Sequence, residues 1–419
     1  MPFVEHPLRG RIVSEMHMRR MPPLQPGMVM LQIVRLVTAD ERAAERIHVL
    51  AMPGVAPAEI TERSRHIEAK RSDGGEFIWE CHSEASTMTL IMPASDADGF
   101  HMAAEDDETM RWIMDAPGAV LRAVRIAIVE TANVNRMIDK AQFSATELVS
   151  AKVGPVQIWS DFLVRNDNFG RLVVAGGDVP PTDLGRIIHQ LQELGNYRNL
   201  ALLGLPLAQE QSAAVTRLEN ELVIIAERME AGIADQKLLE ELCGVAAQLT
   251  RITAETAYRM SATVAYARIV EERLDALGSS RIAGFQSLQE FTQRRLLPAT
   301  RTCASFSARL ESLSVRVERA TSLLRTQVEM VVQMQNAALL ASMDKNAERQ
   351  LRLQRLVEGL SVVAVSYYAV GLLAYVLHAI APVIHVPDDR LIALSVIPVF
   401  GLVWTMMRLR FNYIVGGGH

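Results

Sequence analysis

The strongest hydrophobic pattern in this chain lies near its end, where two uncharged runs flank a short polar segment. Residues 360–384 are twenty-five positions without Asp, Glu, Lys or Arg, and residues 391–407 are seventeen more. A membrane-spanning helix needs about 20 predominantly apolar residues. The pattern therefore predicts a transmembrane hairpin: a first helix over 360–384, an acidic outer connector over 385–390, and a second helix over 391–409.

Upstream of the hairpin, the sequence predicts one long stalk helix over residues 299–359, because residues 299–358 contain neither Gly nor Pro. Apolar residues recur there at three- and four-residue steps, a spacing typical of a coiled-coil seam that Gln327 interrupts. The same stripe also fits packing against a neighbouring helix of the same chain, and both arrangements can hold together. The seam consists of Leu310, Leu313, Val317, Ala320, Leu324, Val331, Met334, Ala338 and Ala341.

Residues 1–180 carry alternating signals for strands and helices, which indicates a mixed α/β domain. The run 119–130 fits both the strand and the helix period. A helix begins near Ala39, after Thr38, which with Asp40 is a suitable cap. The predicted strands are 28–37, 66–70, 76–81, 87–92, 156–164 and 171–175, the second and third joined by the turn at 72–75 and the last two by the turn at 166–170.

Residues 181–298 are nearly all helical in pattern. The predicted helices are 182–195, 208–231, 237–277 and 285–296, and Pro298 marks the turn into the stalk. The fold class is therefore α+β: an N-terminal mixed α/β domain of the cytosol (1–180), a helical region (181–298), the stalk, the transmembrane hairpin and a cytoplasmic tail (410–419).

Composition excludes several functional classes. A net charge of −5 and only 5% aromatic residues give no basic, aromatic surface for nucleic acid. The three cysteines are far apart and form no CxxC pair, so we expect no metal and no cofactor. The first twenty residues are charged throughout and have no apolar core segment, so we expect neither a signal peptide nor a span there.

Charges on either side of the hairpin predict its orientation. Basic residues precede the first span and follow the second, whereas the connector has two aspartates and one arginine. By the positive-inside rule, both termini are expected in the cytoplasm. The flanking basic residues are Lys345, Arg349, Arg352, Arg355, Arg408 and Arg410.

The first span carries hydroxyls and small residues along one helical stripe, formed by Ser361, Tyr368, Gly371 and Tyr375. This pattern fits a close-packed helix interface, or the lining of a wet path through an oligomer. Two spans cannot enclose a pore alone, so the second interpretation requires several copies. Asp388 and Asp389 would then attract cations at the outer connector; otherwise they belong to a solvated turn.

Other polar residues suggest a docking surface for a cytosolic partner, and no set with catalytic spacing is found. His6, Glu15 and His17 have metal-ligand chemistry, but docking contacts explain the charged first segment better. Gly176, Gly177 and Asp178 match no phosphate-binding motif, and a sharp turn explains them. The candidate docking residues are His6, Arg9, Glu15, His17, Arg19, Tyr197 and Arg198; for the last two, a helix–loop–helix corner over residues 194–206 is the alternative explanation.

Three segments resemble a known family. They are HPLR at 6–9 with the following Glu15-x-His17-x-Arg19, NYRNLALLGLP at 196–206, and LQRLVEGLSVVAVSYYAVGLL at 353–373. Through them the chain resembles the bacterial family of predicted membrane-anchored proteins called domain of unknown function 3422. The resemblance implies anchoring in the bacterial inner membrane and no assigned activity.

The order of domains is also similar to that of the CorA-type magnesium channels, which are pentamers. That family's Gly-Met-Asn at the outer end of the first span is absent, because residues 376–384 are VLHAIAPVI. No selectivity residue is therefore transferred.

Two functional hypotheses follow from the sequence. The first is a non-enzymatic, membrane-anchored homo-oligomer. The similarity in domain order to the CorA-type channels extends this hypothesis to the conduction of divalent cations. The second is a membrane-tethered binding or scaffold protein whose cytosolic α/β domain recognises a partner. In both, the lipid bilayer is a partner and nucleic acid is not.

Overall fold

The structure is a computed structural model that describes residues 6–10, 12–13, 21–54, 64–95, 99–102, 107–384 and 388–415. The chain divides into two compact units. The first consists of residues 1–231 and 240–321, and the second consists of residues 232–239 and 322–419.

The described part of the first unit contains one mixed sheet of nine strands in the order β2-β3-β4-β1-β5-β8-β7-β6-β9. Neighbouring strands are antiparallel except for the pairs β5–β8 and β6–β9. The strands are β1 Met28–Leu36, β2 His66–Lys70, β3 Glu76–Cys81, β4 Ala85–Pro93, β5 Ala119–Val129, β6 Val149–Val153, β7 Val156–Ser160, β8 Gly170–Ala175 and β9 Gln286–Ser287.

The described α-helices are short before residue 181, with 8 to 10 residues each, and long after it, with 22 to 97 residues each. They are α1 Glu41–Leu50, α2 Asp107–Met114, α3 Val134–Ala141, α4 Pro181–Leu202, α5 Gly204–Glu230, α6 Gln236–Leu277, α7 Leu288–Ile384 and α8 Asp388–Val415. Together with the sheet they confirm the α+β class. The ambiguous run at 119–130 is the strand β5.

Two predicted helix ends are wrong. Helix α4 does not end at Gly195 but continues to Leu202, and α7 runs through Pro298 without a break. Tertiary packing overrides both local signals, because Gly195 lies directly against a side chain of the sheet and Leu296 and Ala299, on either side of Pro298, are buried. The strand predicted at 156–164 also ends early, at Ser160.

Alternating residues of the central strands serve two cores on opposite faces of the sheet. Ile126 and Ile128 of β5 pack in the same core as Leu184 and Ile188 of α4. Ala127 of β5 belongs to another core. This division follows from the two-residue period of a strand, and it places α4 against one face of β5.

The second unit contains the two hydrophobic helical segments. Helices within Leu288–His378 and Ile392–Leu409 are long and apolar enough to cross a membrane, by length and composition. The stalk seam divides within α7: Leu310, Leu313 and Val317 are buried by their own chain, whereas Val331 and Met334 are exposed. Packing within the chain therefore explains only the first half of the predicted seam.

Gly204 offers a test of how α5 is packed. A Cβ at this position would lie 2.2 Å from Oγ1 of the buried Thr263, so Gly204→Ala must displace that side chain. We expect Gly204→Ala to destabilise the protein by about 1–3 kcal/mol, seen as a lower thermal unfolding midpoint of the full chain.

Gly244 is the matched control, because it lies inside α6 and a Cβ there meets nothing within 4 Å. Gly244→Ala is expected to be neutral or to stabilise by about 0.5–1 kcal/mol. Equal midpoints for the two variants would contradict the close packing at Gly204.

Candidate functional site

The first unit contains a cavity of about 510 Å³. Strand β8 begins at Gly170, opposite Val124 of β5, so residues 119–123 of β5 extend beyond it. The cavity lies at this point, and α4 and the loop 161–169 contribute to its walls. A volume of this size is in the range of about 300–1,000 Å³ that is usual for small-molecule sites.

Most of the cavity wall is apolar. The side chains come from both the sheet and the helices that pack on it, and they belong largely to the main hydrophobic core. The apolar wall residues include Ile158, Phe162, Leu172, Leu191, Leu194 and Leu288. Such a surface favours an apolar ligand body, since burial removes that body from water.

Arg122 of β5 brings a positive charge into this apolar wall. Its Nη1 donates hydrogen bonds to three amide oxygens: Gln32 Oε1 at 3.0 Å, Gln192 Oε1 at 2.8 Å and Asn196 Oδ1 at 2.8 Å. A Cβ on Gly195 would lie only 3.0–3.1 Å from the guanidinium atoms. The glycine inside α4 therefore makes room for the Arg122 side chain.

Arg198 of α4 supplies the second positive charge. It lies about one helical turn after Gly195, the glycine that faces Arg122. It is 8% exposed, and its guanidinium carbon lies 4.3 Å from the centroid of the Phe162 ring. Phe162 in turn stacks on Phe291 of α7, with centroids 4.7 Å apart. Within the described chain, no N–H group of Arg198 has a hydrogen-bond acceptor.

No carboxylate in the described residues neutralises either arginine. Burial lowers the pKa of Arg198 to about 10. For Arg122, burial first and then the nearby Arg198 charge lower the pKa to about 9. Both guanidiniums are still cationic at neutral pH. Arg171 is the third arginine of the cavity lining, but its charge pairs with Asp167 at 4.0 Å, so Arg122 and Arg198 are the two arginines there without a carboxylate partner in the described chain.

Gln192 adds an unpaired donor to the same cavity. The residue is 1% exposed, its Oε1 accepts from Arg122, and its Nε2 has no hydrogen-bond partner. A buried polar atom without a partner is unfavourable, and in a native protein it calls for an explanation. A ligand oxygen placed in the cavity would satisfy it.

The loop 161–169 holds Phe162 beneath Arg198. The carboxylate of the buried Asp161 accepts hydrogen bonds from the backbone N–H groups of Ser144 and Leu163 and from Arg165. The backbone N–H of Phe162 donates to Ser160 Oγ, and Phe162 has a φ of 54°, a left-handed conformation that is strained for a bulky residue. Asp161 therefore holds a strained loop in the conformation that places the Phe162 ring beneath the Arg198 guanidinium.

The arrangement is suited to binding an anion. It combines two cations, a free amide donor and a low-dielectric surrounding, in which charge-assisted hydrogen bonds are stronger than in water. In the part of the chain that the structure describes, no group of three or more His, Cys, Asp or Glu residues could hold a metal.

The predicted docking residues differ in their exposure. His6 and Arg9 are exposed, whereas Arg198 is buried and faces the cavity instead of the outer surface. Tyr197, its neighbour, stacks with Tyr266 at 5.7 Å between centroids. Glu15, His17 and Arg19 lie outside the described residues.

The hydroxyl stripe of the first span is accessible in the single chain. Tyr368 and Tyr375 are 72% and 81% exposed, and a Cβ on Gly371 would meet nothing within 4 Å. Ser361 Oγ donates to the carbonyl oxygen of Val357 one turn earlier. An exposed stripe is compatible with both predictions, the helix interface and the lining of a wet path through an oligomer.

Only residues 388–390 of the predicted outer connector belong to the described part of the chain. Residues 385–387 lie outside the described residues, and α8 begins at Asp388, so the connector does not extend to 390. The side chain of Asp389 is exposed. The Gly177 turn is confirmed, with a φ of 57°.

Sequence reasoning missed Arg122 and Gln192. Two signals were present: Arg122 interrupts an apolar strand, and Gln192, Asn196 and Asn199 recur at steps of four and three on α4, which places them on one helical face. Neither signal shows that the strand and the helix face each other, because only the fold provides that contact.

Comparisons with known proteins identify a family and nothing further. A family model described as "Protein of unknown function (DUF3422)" matches residues 4–412. No curated protein and no solved structure matches the chain.

The buried charge of Arg198, which has no counter-ion, should lower the free energy of unfolding of the ligand-free protein. We expect Arg198→Met, which keeps an unbranched apolar stem and removes the charge, to stabilise the protein by about 1–4 kcal/mol in the absence of ligand. The measurement is the thermal unfolding midpoint of the full chain at pH 7.

Arg186→Met is the matched control, since Arg186 is on the same helix with a 62% exposed side chain that pairs with Asp183. Its effect should stay within about 0.5 kcal/mol. A clear destabilisation by Arg198→Met would mean that the guanidinium is compensated in the ligand-free protein.

Proposed function

We propose that this chain, which belongs to the DUF3422 family of proteins of unknown function, is a membrane-tethered, non-enzymatic binding protein. Its first unit holds a small organic anion in the cavity between β5 and α4. The observation that carries this proposal is the pair of guanidiniums, Arg122 and Arg198, that face an apolar cavity with no carboxylate from the described chain.

The tether is the pair of apolar helices in the second unit. Their length and composition support membrane spanning. The family resemblance supports the bacterial inner membrane, and the basic residues that flank the hairpin support a cytoplasmic location for both termini. A cytosolic partner that responds to the loaded cavity fits the same scheme.

A second candidate function is a membrane-anchored homo-oligomer. Large apolar side chains stay exposed along the stalk between residues 323 and 357, among them Met334, Leu339 and Leu356. Apolar surface of this extent on one helix favours burial against other copies. Conduction of divalent cations is an extension of this candidate, for which the exposed Asp389 at the start of α8 is the supporting observation.

Anion binding can be tested with 8-anilinonaphthalene-1-sulfonate, a fluorescent probe that joins a sulfonate to an aromatic body. The full chain in lipid nanodiscs should enhance the probe's fluorescence beyond the signal of empty nanodiscs. Arg198→Met should weaken binding by about 10- to 100-fold, because a hydrogen bond to a charged group contributes about 1.5–3 kcal/mol.

Arg186→Met serves again as control and should bind the probe as the unaltered chain does. Saturable binding that is equal in all three proteins would place the probe elsewhere and count against the cavity. The same conclusion would follow from a complete lack of binding.

The homo-oligomer has its own test in the first span. Gly371→Leu adds a bulky side chain to the exposed stripe and should reduce the particle mass measured by light scattering, after correction for lipid and detergent. Gly359→Leu is the control, because a Cβ there also meets nothing within 4 Å and the position lies off the stripe. An unchanged mass for Gly371→Leu would remove the stripe as an interface.

A further inference from the structure

We infer that the cavity takes a single-chain acyl amphiphile: an acidic head group that binds at Arg198, Arg122 and Gln192, and a hydrocarbon tail that lies against the apolar wall. This inference rests on the proposed function, since it names the class of the bound anion. It is drawn from how the charges and the apolar surface are distributed inside one cavity.

The head group would bind to the edge of the Arg198 guanidinium. The guanidinium carbon lies over the Phe162 ring, 4.3 Å from its centroid, so the ring covers one side of the group. A guanidinium carries its N–H donors in its own plane, pointing outward from the edge, where two of them match the two oxygens of an acid group. These donors have no acceptor within the described chain.

Gln192 and Arg122 extend the donor set. Gln192 Nε2 is buried without a partner, and its Oε1 is held by Arg122 Nη1, which fixes the amide orientation. The hydroxyl of Ser160, another cavity residue, is already used: it donates to the carbonyl oxygen of Arg171 and accepts from Phe162 N–H. The donors that remain include the two arginines and the Gln192 amide, whose Nε2 is buried without a partner.

The remaining wall is suited to a tail and not to a polar body. Leu172, Leu191 and Leu194 are buried core residues, and Ile158 and Leu288 complete the apolar part of the wall. A nucleotide would bring a ribose and a base whose polar atoms need several further partners, and it usually binds at a glycine-rich loop before a helix. The cavity wall offers no such loop among the described residues, so a hydrocarbon chain is the better match.

The second positive charge sets the head-group chemistry. With Arg122 and Arg198 both cationic, a carboxylate leaves one surplus charge and a phosphate monoester leaves none. Both are acidic head groups on a single hydrocarbon chain, such as free fatty acids and single-chain phosphate monoesters provide. The shared chemistry is the acidic head on one chain, and the two sources can be separated experimentally.

The experiment is isothermal titration of the full chain in nanodiscs, with empty nanodiscs subtracted. The probes are decanoate, hexanoate, monodecyl phosphate and decanol. Decanoate or monodecyl phosphate should saturate one site per chain, and decanol should bind at least tenfold more weakly, because it lacks the charge. Each CH₂ from hexanoate to decanoate should tighten binding by about fourfold, the factor for burying one methylene.

Arg198→Met should weaken the tighter of the two ten-carbon acids by at least tenfold, while Arg186→Met should leave its affinity unchanged. The unfolding midpoint of Arg198→Met shows whether the variant is folded. Gln192→Leu is a second variant, which keeps the size and removes the amide, and it should weaken the same acid by several-fold.

Three outcomes would overturn the inference. Decanol that binds as tightly as the acids would show that no acidic head is recognised. Equal affinities for hexanoate and decanoate would show that no tail is buried. A lack of binding by both ten-carbon acids, alongside Arg198-dependent binding of the fluorescent sulfonate, would leave the proposed function in place and exclude the acyl class.

Discussion

The desolvation of Arg122 and Arg198 is the constraint on which the account of this protein depends. Helix α4 buries one guanidinium against β5 and carries the other, and the described chain brings no carboxylate to either. A buried charge without a partner is unfavourable, and strongly perturbed titratable groups in a cleft cluster at functional sites. Much of the surrounding structure can be understood as support for these two side chains.

That support comes from elements that are far apart in sequence. Gly195 leaves space for Arg122 inside a continuous helix, and the amides of Gln32 and Asn196 accept its hydrogen bonds. Asp161 holds the loop that places Phe162 beneath Arg198. The cavity is thus built from strand, helix and loop together, which keeps its charges and its apolar wall in fixed positions without a ligand.

The sequence predicts local structure well where the signal is local. The hairpin over 66–81 follows from its turn, in which Asp73 Oδ1 accepts the Gly75 N–H and Gly74 has a φ of 85°. The apolar runs likewise indicate the two long hydrophobic helices. The site was not predictable in this way. A glycine such as Gly195 is typical of a helix end, and arginines are usually exposed. The contact between Arg122 and Gln192 also joins residues seventy positions apart in the sequence.

The most direct test of the central claim is to locate bound bromide by anomalous X-ray scattering from crystals of the full chain. The account predicts a bromide ion within hydrogen-bond distance of Arg198 and the Gln192 amide, and its loss in Arg198→Met crystals. A carboxylate of the chain itself paired with Arg198 or Arg122, and no bromide beside them, would contradict it, because the two charges would then be part of an internal ion pair and not of a binding site.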